Sequence, residues 1–478
     1  MAKILMAASE ATPFSKTGGL ADVMGALPAA LQAAGEEVAV VLPWYRETKL
    51  ASSPNEVFRD LRISIGPNSF LVDLFETVER GVRFFLVACP PLFDRPGLYG
   101  TGGHDFPDNH IRFGVYSQAV LGAMRYLFRP SILHCHDWQA ALAPLFMRST
   151  FAGDPTFFGV RVLFTIHNLG YQGIFPAAAL YDLGIGPNLF RPNVLEFYGN
   201  LNLLMGGMYS SDALSTVSRG YAREIQTDEF GFGLQHFLRA RSDRLYGILN
   251  GVDYGDWSPE HDRFIARNYS ADDLSGKADC RRALLERFRL PGDRTGVPVI
   301  GMVTRLVDQK GLDLIAQVAG DLVREDLLLT VLGSGDPAYE QMLRNLAAAH
   351  PDKVAVEIGY DEALSHAVEA GADMFLMPSR YEPCGLNQIY SLRYGTIPIV
   401  RATGGLDDTI TSEPPEEATG FKFGAYSGAE LLATVRAALA AYKDQPAWEA
   451  MVRRAMARDY SWTRSASEYM ALYRKLLR

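Results

Sequence analysis

The sequence predicts an α/β protein built from two parallel-sheet domains, and three observations lead to that prediction. The chain has 478 residues, too many for one ordinary hydrophobic core. Short β-type runs alternate with helical stretches in both halves, which is typical of parallel sheets covered by helices on both faces. Unusual polar residues and glycines follow these runs directly, and open α/β sheets bind ligands at that edge.

The first domain is predicted to cover residues 1–250. A short apolar run at 4–8 opens it, and a glycine-containing helical stretch follows. Further strand-like runs lie at 38–42, 132–135 and 162–166. After residue 250 the alternation pauses in a polar segment, 258–296, which is rich in Asp, Arg and Pro. We therefore place a domain boundary at 250/251.

The second series of strands starts beyond this segment. Its apolar runs lie at 299–303, 327–332, 354–358, 374–377 and 397–400. Each run is short and rich in Val, Ile, Leu or Met, as expected for strands buried on both faces. No internal repeat and no low-complexity tract interrupts the series, so we predict a second parallel sheet.

Composition excludes several classes of protein. Hydrophobic residues make up 48% and charged residues 21%, the profile of a globular chain, and the net charge of −9 argues against a nucleic-acid partner. No apolar run reaches the roughly 20 residues that a membrane helix needs, and the N-terminus does not resemble a secretory signal. The four scattered cysteines suggest reduced thiols, so we expect a cytoplasmic protein with no membrane partner.

Three basic residues follow predicted strands. Lys16 stands in FSKTGGLADV, and Arg305 and Lys310 stand in TRLVDQKG. Converging cations of this kind would bind a diphosphate, while Gly18 and Gly19 would let the backbone approach it. Solvated surface cations are the alternative for each one alone, but three at strand ends favour a binding site.

A proline-containing loop with one acidic residue, PSRYEPCGLNQ at 378–388, leads into a helix. Free N–H groups at the helix start, beside Gly385, would form a cradle for an anion or a hydroxyl group. Glu382 could accept hydrogen bonds from a sugar. Alternatively, it could be a carboxylate at the helix start that is stabilised by the helix dipole. Cys384 is a candidate nucleophile, but with no histidine nearby in sequence a packed thiol is the favoured interpretation.

Two histidine-containing segments could suggest a metal site. His134, Cys135, His136 and Asp137 are consecutive at the end of a predicted strand, where alternate residues point to opposite faces, so the four side chains cannot all converge. The segment GGHDFPDNH at 102–110 has the composition of a surface loop. No D-x-D motif occurs in the chain. We therefore predict no metal and no cofactor.

Eight motifs, in this order, resemble the bacterial glycogen synthases and the plant starch synthases: KTGGLADV, HDWQA, HNLGYQG, NGVDYGDWSP, TRLVDQKG, GSGDP, PSRYEPCGL and TGGLDDT. The resemblance spans the whole chain, and the bacterial type fits better. It implies a GT-B fold, with two Rossmann-like domains facing a deep cleft. Residues 1–250 would form the acceptor side and 251–458 the nucleotide-sugar donor side, while 459–478 would form a helix crossing back to the first domain.

The resemblance also implies an activity. Members transfer glucose from ADP-glucose to the non-reducing 4-hydroxyl end of an α-1,4-glucan, such as glycogen or a maltooligosaccharide. They retain the anomeric configuration, release ADP and need no metal. Retention usually suggests a double displacement through a carboxylate. Because no acid is clearly placed for that role, a same-face mechanism assisted by the leaving phosphate is favoured.

On the donor side, the resemblance assigns roles to matching residues. Arg305 and Lys310 resemble the pair that neutralises departing ADP, and Lys16 resembles the lysine near the phosphates. Donor contacts are expected from the following residues: Gly18, Gly19, Asp22 (ribose), Tyr360 (adenine), Cys384, Gly385 and Leu386 (backbone N–H groups), and Asn387.

On the sugar side, Glu382 resembles the acid that holds the glucose hydroxyls, and His167 resembles the residue at the 6-hydroxymethyl group and the reacting centre. Asp137 resembles a carboxylate near the acceptor, and Asn250 a glucose contact. Three positions depart from the family pattern. They are Asn387 in place of threonine, Gln139 in place of histidine, and Met205 where lysine is frequent.

Three rival functions remain open at this point. A related transferase could use UDP-glucose, which donor competition would reveal. A glucan phosphorylase would carry pyridoxal phosphate on a lysine. An inactive glucan-binding protein would be free to lose Lys16, Arg305, Lys310 and Glu382, yet all four are present.

Overall fold

The computed structural model describes residues 1–292, 294 and 296–478. The chain forms two compact units, which we call unit 1 (Met1–Gly251 with Trp462–Arg478) and unit 2 (Val252–Ser461). The predicted boundaries lay at 250/251 and 458/459, and the units of the structure change at 251/252 and 461/462.

Unit 1 is built on a nine-stranded sheet with two small accessory sheets. Its strands are β1 (Lys3–Ala7), β2 (Glu37–Pro43), β3 (Asn55–Ile65), β4 (Asn68–Glu79), β5 (Val82–Ala88), β6 (Gly100–Thr101), β7 (His104–Asp105), β8 (Ile132–His136), β9 (Arg161–Ile166), β10 (Ile174–Pro176), β11 (Glu196–Phe197), β12 (Asn200–Asn202), β13 (Ala213–Thr216) and β14 (Leu245–Gly247).

The main sheet has the order β14-β13-β9-β8-β1-β2-β5-β4-β3. Strands from β14 to β5 run parallel, whereas β3 and β4 extend the edge as an antiparallel hairpin. The helices that precede unit 2 are α1 (Gly19–Ala33), α2 (Pro90–Phe93), α3 (Asn109–Tyr126), α4 (Leu142–Arg148), α5 (Ala179–Leu183), α6 (Leu203–Tyr209), α7 (Arg219–Glu224) and α8 (Gln235–Arg239).

Unit 2 contains one six-stranded, fully parallel sheet of order β17-β16-β15-β18-β19-β20. Its strands are β15 (Val299–Val303), β16 (Leu328–Gly333), β17 (Val354–Ile358), β18 (Met374–Met377), β19 (Ile397–Arg401) and β20 (Phe421–Phe423). Its helices are α9 (Ser275–Arg287), α10 (Leu312–Leu322), α11 (Pro337–Ala349), α12 (Glu362–Gly371), α13 (Asn387–Tyr394), α14 (Gly404–Thr409), α15 (Gly428–Tyr442) and α16 (Gln445–Met456).

The chain then returns to unit 1 as α17 (Trp462–Leu476). Trp462, Ala466, Tyr469 and Tyr473 recur at helical spacing, and all four are buried in the same core cluster as Ile4 and residues of α1. Where the chain crosses between the units, Val252 pairs with Ser461 and its N–H donates to the Tyr460 carbonyl at 2.9 Å. The segment 462–476 is therefore part of the core of unit 1.

Both main sheets reverse their strand order beside their first strand, between β1 and β8 in unit 1 and between β15 and β18 in unit 2. In doubly wound sheets, such a reversal opens a crevice at the carboxyl ends of the strands. The loops that follow β1, β8, β15 and β18 carry most of the predicted site residues. The parallel α/β fold is thus confirmed, while the β3–β4 hairpin is an addition to it.

No helix in the described parts of the chain has the length and apolar character needed to cross a membrane.

Candidate active site

A pocket of about 190 Å³ lies at the strand reversal of unit 2. Its walls come from the ends of β15 and β18 and from the loops that follow them. The lining residues are Met302, Val303, Thr304, Arg305, Lys310, Leu376, Met377, Ser379, Glu382, Gly385, Leu386 and Asn387. Six predicted site residues therefore come together in one pocket.

The charged groups of this pocket differ in exposure and in pairing. Arg305 is exposed, and its guanidinium has no partner among the residues that the structure describes. Lys310 ends a short 3-10 turn, and its Nζ lies 2.5 Å from Oε2 of Glu382. Glu382 is only 6% exposed and also accepts a hydrogen bond from Ser379 Oγ at 3.0 Å. Two residues predicted to hold opposite parts of the donor are thus paired with each other.

Close backbone packing fixes the loop that carries Glu382. A Cβ on Gly405 would lie 2.0 Å from the Cys384 carbonyl oxygen, and the Gly405 N–H donates to the Glu382 carbonyl at 3.0 Å. Gly311 has a φ of +76°, and a Cβ there would lie 2.1 Å from the Pro378 carbonyl oxygen. The TGGL and QKG motifs therefore brace the loop that carries Glu382, because only glycine permits these approaches.

The start of α13 forms another wall of the pocket. Cys384 is buried, and Gly385 has a left-handed φ of +71°. Asn387 begins the helix, and its Nδ2 donates to the Val303 carbonyl at 2.7 Å. The residue that departs from the family pattern thus ties the end of β15 to the start of α13, with Leu386 beside it in the pocket lining.

Aromatic stacking anchors the rest of α13. The ring of Trp257 lies between those of Tyr390 and His366, at centroid distances of 3.9 and 3.7 Å. Asp262 accepts a hydrogen bond from Tyr394 at 2.5 Å and contacts His366 Nδ1 at 2.7 Å. The segment following NGVD therefore positions the helix that carries the pocket wall.

In unit 1, the loop after β1 carries Lys16, Gly18 and Gly19. Lys16 Nζ lies 2.7 Å from Oδ1 of Asp22, which stands in the first turn of α1. A Cβ on Gly18 or Gly19 would meet no atom within 4 Å. The backbone at the start of α1 is therefore open to a ligand.

The buried side chain of Glu10 holds this loop through hydrogen bonds, a role that the sequence analysis missed. Its buried carboxylate accepts hydrogen bonds from the Thr17 backbone N–H and from Thr17 Oγ1, the latter at 3.0 Å, and it also contacts Gly18 and Tyr99. Burial raises the pKa of Glu10, and these donors oppose that rise. The rule that found Lys16 could have found Glu10, since both follow the same strand.

Asp137 links the loops after β8 and β9. Its φ of +57° is a left-handed value that costs energy in a residue with a side chain. Its Oδ1 accepts the His167 backbone N–H at 2.7 Å. Burial raises the pKa of Asp137 to about 7, against the lowering effect of the hydrogen bonds, and the nearby charge of Glu10 adds to the rise. Burial also lowers the pKa of His167 to about 3.

Two predicted site residues, Asn250 and Tyr360, and two departures from the family pattern, Met205 and Gln139, complete the set. Asn250 is 5% exposed, and its Oδ1 is buried without a partner in the described structure. Tyr360 follows β17, is 79% exposed and does not line the pocket of unit 2. Met205 is buried within α6, where a lysine charge would be costly. Gln139 is buried too, with an unpartnered Oε1 in the described part of the chain.

Among the described residues, no three His, Cys, Asp or Glu side chains gather as a metal site would require. His134 and His136 lie on one face of β8, and their rings contact each other and their neighbours in the core.

Comparisons with known proteins define the class. Residues 3–240 match the starch synthase catalytic domain family, and residues 287–455 match the glycosyl transferases group 1 family. The structure resembles the catalytic domain of starch synthase IV from Arabidopsis thaliana, solved with ADP and acarbose, with a TM-score of 0.91, 31% identity, and coverage of 100% of this chain and 99% of that one. The chain is thus a GT-B glycosyltransferase of the starch synthase type.

Full-length relatives narrow the assignment. A glycogen synthase of Koribacter versatilis is 52% identical over 99% of this chain and 98% of its own, and one of Anaeromyxobacter dehalogenans (strain 2CP-1) is 48% identical over 99% of both. The chain belongs to the glycogen synthase family. Sucrose-phosphate synthase from Thermosynechococcus elongatus, with a TM-score of 0.61 and 17% identity, shares the fold alone.

Proposed function

We propose that this chain transfers glucose from ADP-glucose to the non-reducing 4-hydroxyl end of an α-1,4-glucan, with retention of configuration and release of ADP. The observation that carries the proposal is the pocket of unit 2, where two cations and a buried carboxylate stand at the strand reversal. The full-length glycogen synthase relatives support it, as does the starch synthase neighbour solved with ADP and acarbose.

The chemistry assigns complementary roles to the charged groups. Cleavage of the bond between glucose and phosphate builds negative charge on ADP, and a cation there gains more in the transition state than in the ground state. Arg305, exposed and unpaired within the described structure, and Lys310 would take this role, while Glu382 would hold the glucose hydroxyls. Ligand binding would then require Lys310 to share or leave its contact with Glu382.

A same-face mechanism is part of the proposal. Glu382 is the sole carboxylate among the described residues that line the pocket, and its Oε2 is engaged by both Lys310 and Ser379. A carboxylate held in this way is poorly placed to attack the sugar as a nucleophile. Metal independence also belongs to the proposal, because the two cations can neutralise the leaving group.

In unit 1, we propose that the loop around Gly18 and Gly19 meets the donor diphosphate, with Lys16 balancing its charge. Its contact with Asp22 would loosen as the ligand binds. Asp137, His167 and Asn250 would face the sugar and the acceptor. A cytoplasmic location fits the four buried cysteines, which form no disulfide in the described structure, as is expected in a reducing compartment.

A donor panel tests the proposal. Radiolabelled ADP-glucose and UDP-glucose are each incubated with glycogen, with and without EDTA, and label in the polymer is counted. We expect transfer from ADP-glucose that survives EDTA. Preference for UDP-glucose would overturn the donor assignment, loss of activity restored only by Mg²⁺ or Mn²⁺ would overturn metal independence, and absence of transfer from both donors would overturn the activity.

A further inference from the structure

Three histidine rings of unit 1 form a row beside the loops that follow β8 and β9, with His134 and His136 buried and His167 half-buried. His134 and His136 lie two residues apart on β8 and therefore on the same face, and His167 follows β9. The ring centroids of His134 and His136 are 4.0 Å apart, and those of His136 and His167 are 5.2 Å apart. The row runs from the core of unit 1 to the loops that follow β8 and β9.

The inner ring is fixed by two hydrogen bonds. His134 Nδ1 lies 2.8 Å from the Tyr473 hydroxyl of α17, and its Nε2 lies 2.6 Å from Thr165 Oγ1. A ring bonded through both nitrogens cannot rotate, so it forms a rigid surface against which the His136 ring packs.

The middle ring has a single hydrogen bond. His136 Nδ1 lies 2.9 Å from Nε2 of His167, while its Nε2 is buried and has no partner among the described residues. Burial and the neighbouring rings lower the pKa of His136 well below its usual value, and burial lowers that of His167 to about 3. Both rings are therefore neutral near pH 7, and the bond between them contains one proton.

That proton can sit on either ring. If His167 Nε2 carried it, neutral His136 would carry its own proton on Nε2 and bury an N–H donor that has no acceptor. If His136 Nδ1 carries it, His136 buries only an unused lone pair. Orphaned buried N–H groups are rarer than unused acceptors, which favours donation from His136 to His167.

We propose that His136 is a positioning residue that fixes His167 as the tautomer protonated on Nδ1 and aims that N–H into the site. In the described structure, His167 Nδ1 makes no hydrogen bond to the protein. The nitrogen can therefore donate to a ligand oxygen, which, on the proposed function, is a hydroxyl of the transferred glucose. A His167 of the other tautomer would present a lone pair to that hydroxyl.

The tautomer can be read in the protein without substrate. Histidine labelled with ¹⁵N in the ring is incorporated, and long-range ¹H–¹⁵N correlation spectra are recorded, with His167→Gln identifying the His167 signals. We expect His167 to be protonated on Nδ1 and unprotonated on Nε2. Protonation on Nε2 would overturn the proposal, and this result does not depend on what reaction the chain catalyses.

Two substitutions at His136 test its effect on His167. The amide of His136→Asn places an N–H donor near the former Nδ1, whereas His136→Leu keeps the bulk but offers no donor. We expect His136→Asn to retain the tautomer and to keep kcat within about 5-fold of the native value. His136→Leu should lose the tautomer and lower kcat about 10- to 100-fold, the range found for hydrogen-bond partners that orient metal-ligating histidines.

Thr165→Val is the matched control. It removes the buried hydrogen bonds of Thr165 Oγ1 to His134 and to Ser215, but Thr165 makes no bond to either member of the His136–His167 pair through its side chain. It should lower the melting temperature without changing the His167 tautomer or kcat by more than about 2-fold. Equal kcat values for the Asn and Leu variants, or a His136→Leu protein that keeps the native tautomer, would refute the role. If His136→Leu does not fold, the spectrum of the native protein and the His136→Asn variant still decide the question. If the native protein transfers no glucose, the proposed function is wrong, and the tautomer assignment is then decided by the spectrum alone.

Discussion

Removing Lys310 should damage both stability and catalysis, through two separable effects. Glu382 is 6% exposed, and without the Nζ at 2.5 Å its carboxylate would keep only the Ser379 hydroxyl as a partner. Breaking a buried ion pair by deleting one partner costs about 3–5 kcal/mol. The Lys310 side chain is 18% exposed, so water can partly replace it, and we expect about 2–3 kcal/mol. For a domain of this size, that loss corresponds to a fall of about 4–12 °C in the melting temperature of unit 2.

Arg305 provides the matched comparison. Its side chain is exposed and unpaired in the described structure, so Arg305→Ala should leave the melting temperature unchanged. Both alanine variants should lower kcat by about 10²–10³, as for loss of one preorganised charge-stabilising group. The measurements are calorimetric unfolding, and kcat and KM for ADP-glucose with glycogen as acceptor.

Glu382→Gln separates the two effects of Lys310. In that background the buried charge is gone, so adding Lys310→Ala should cost much less stability than it does in the native chain. An equal loss of stability in both backgrounds would show that the ion pair is not the cause. A folded Lys310→Ala protein with near-native kcat and only a raised KM would show that this cation merely binds the donor.

Three further outcomes follow from other contacts. Glu10→Gln should raise KM for ADP-glucose about 10-fold, with little change in circular dichroism, because an amide N–H would then face the donors of Thr17; an unchanged KM would argue against a role in shaping the loop. Burial raises the pKa of Asp137 from 3.8 to about 7, so between these values the folded chain holds a proton that the unfolded chain has released. The contribution of Asp137 to the free energy of unfolding therefore falls as pH rises through that window. Urea unfolding at several pH values should show that the free energy of unfolding of Asp137→Asn depends less steeply on pH than that of the native chain. Identical slopes of the two plots would refute the assignment. Gly405→Ala should displace the Cys384 loop, whose carbonyl oxygen would lie 2.0 Å from the new Cβ, and lower kcat/KM at least 10-fold; native kinetics would show that the loop does not need this contact.

Several elements could be predicted from local sequence because local composition decides them. The runs at 299–303, 354–358 and 374–377 are strands with the predicted bounds, since short segments rich in Val, Ile, Leu or Met have few alternatives. Of the three, β15 and β18 are almost wholly buried, whereas the edge strand β17 buries only Val354. The strand-end rule also brought Arg305, Lys310 and Glu382 to notice, and these three line one pocket.

Other features depend on contacts between distant segments. The Lys310–Glu382 pair exists because β15 and β18 are neighbours, an adjacency that no local pattern specifies. The β3–β4 hairpin was missed, because many of its positions are half-buried or exposed and the apolar signal is diluted. The support from Glu10 depends on how the loop folds back over it, which the alternation of strands and helices does not reveal.

The return of α17 to unit 1 has a consequence for synthesis of the protein. Trp462, Tyr469 and Tyr473 fill the same core as Ile4 and Met24, so the ribosome must translate all of unit 2 before unit 1 can close that core. Unit 2 is continuous in sequence and can complete its own sheet earlier, although it is made later than most of unit 1. During elongation, unit 1 therefore exposes the apolar surface that α17 covers in the finished protein. This nascent intermediate is the species that a chaperone would need to shield.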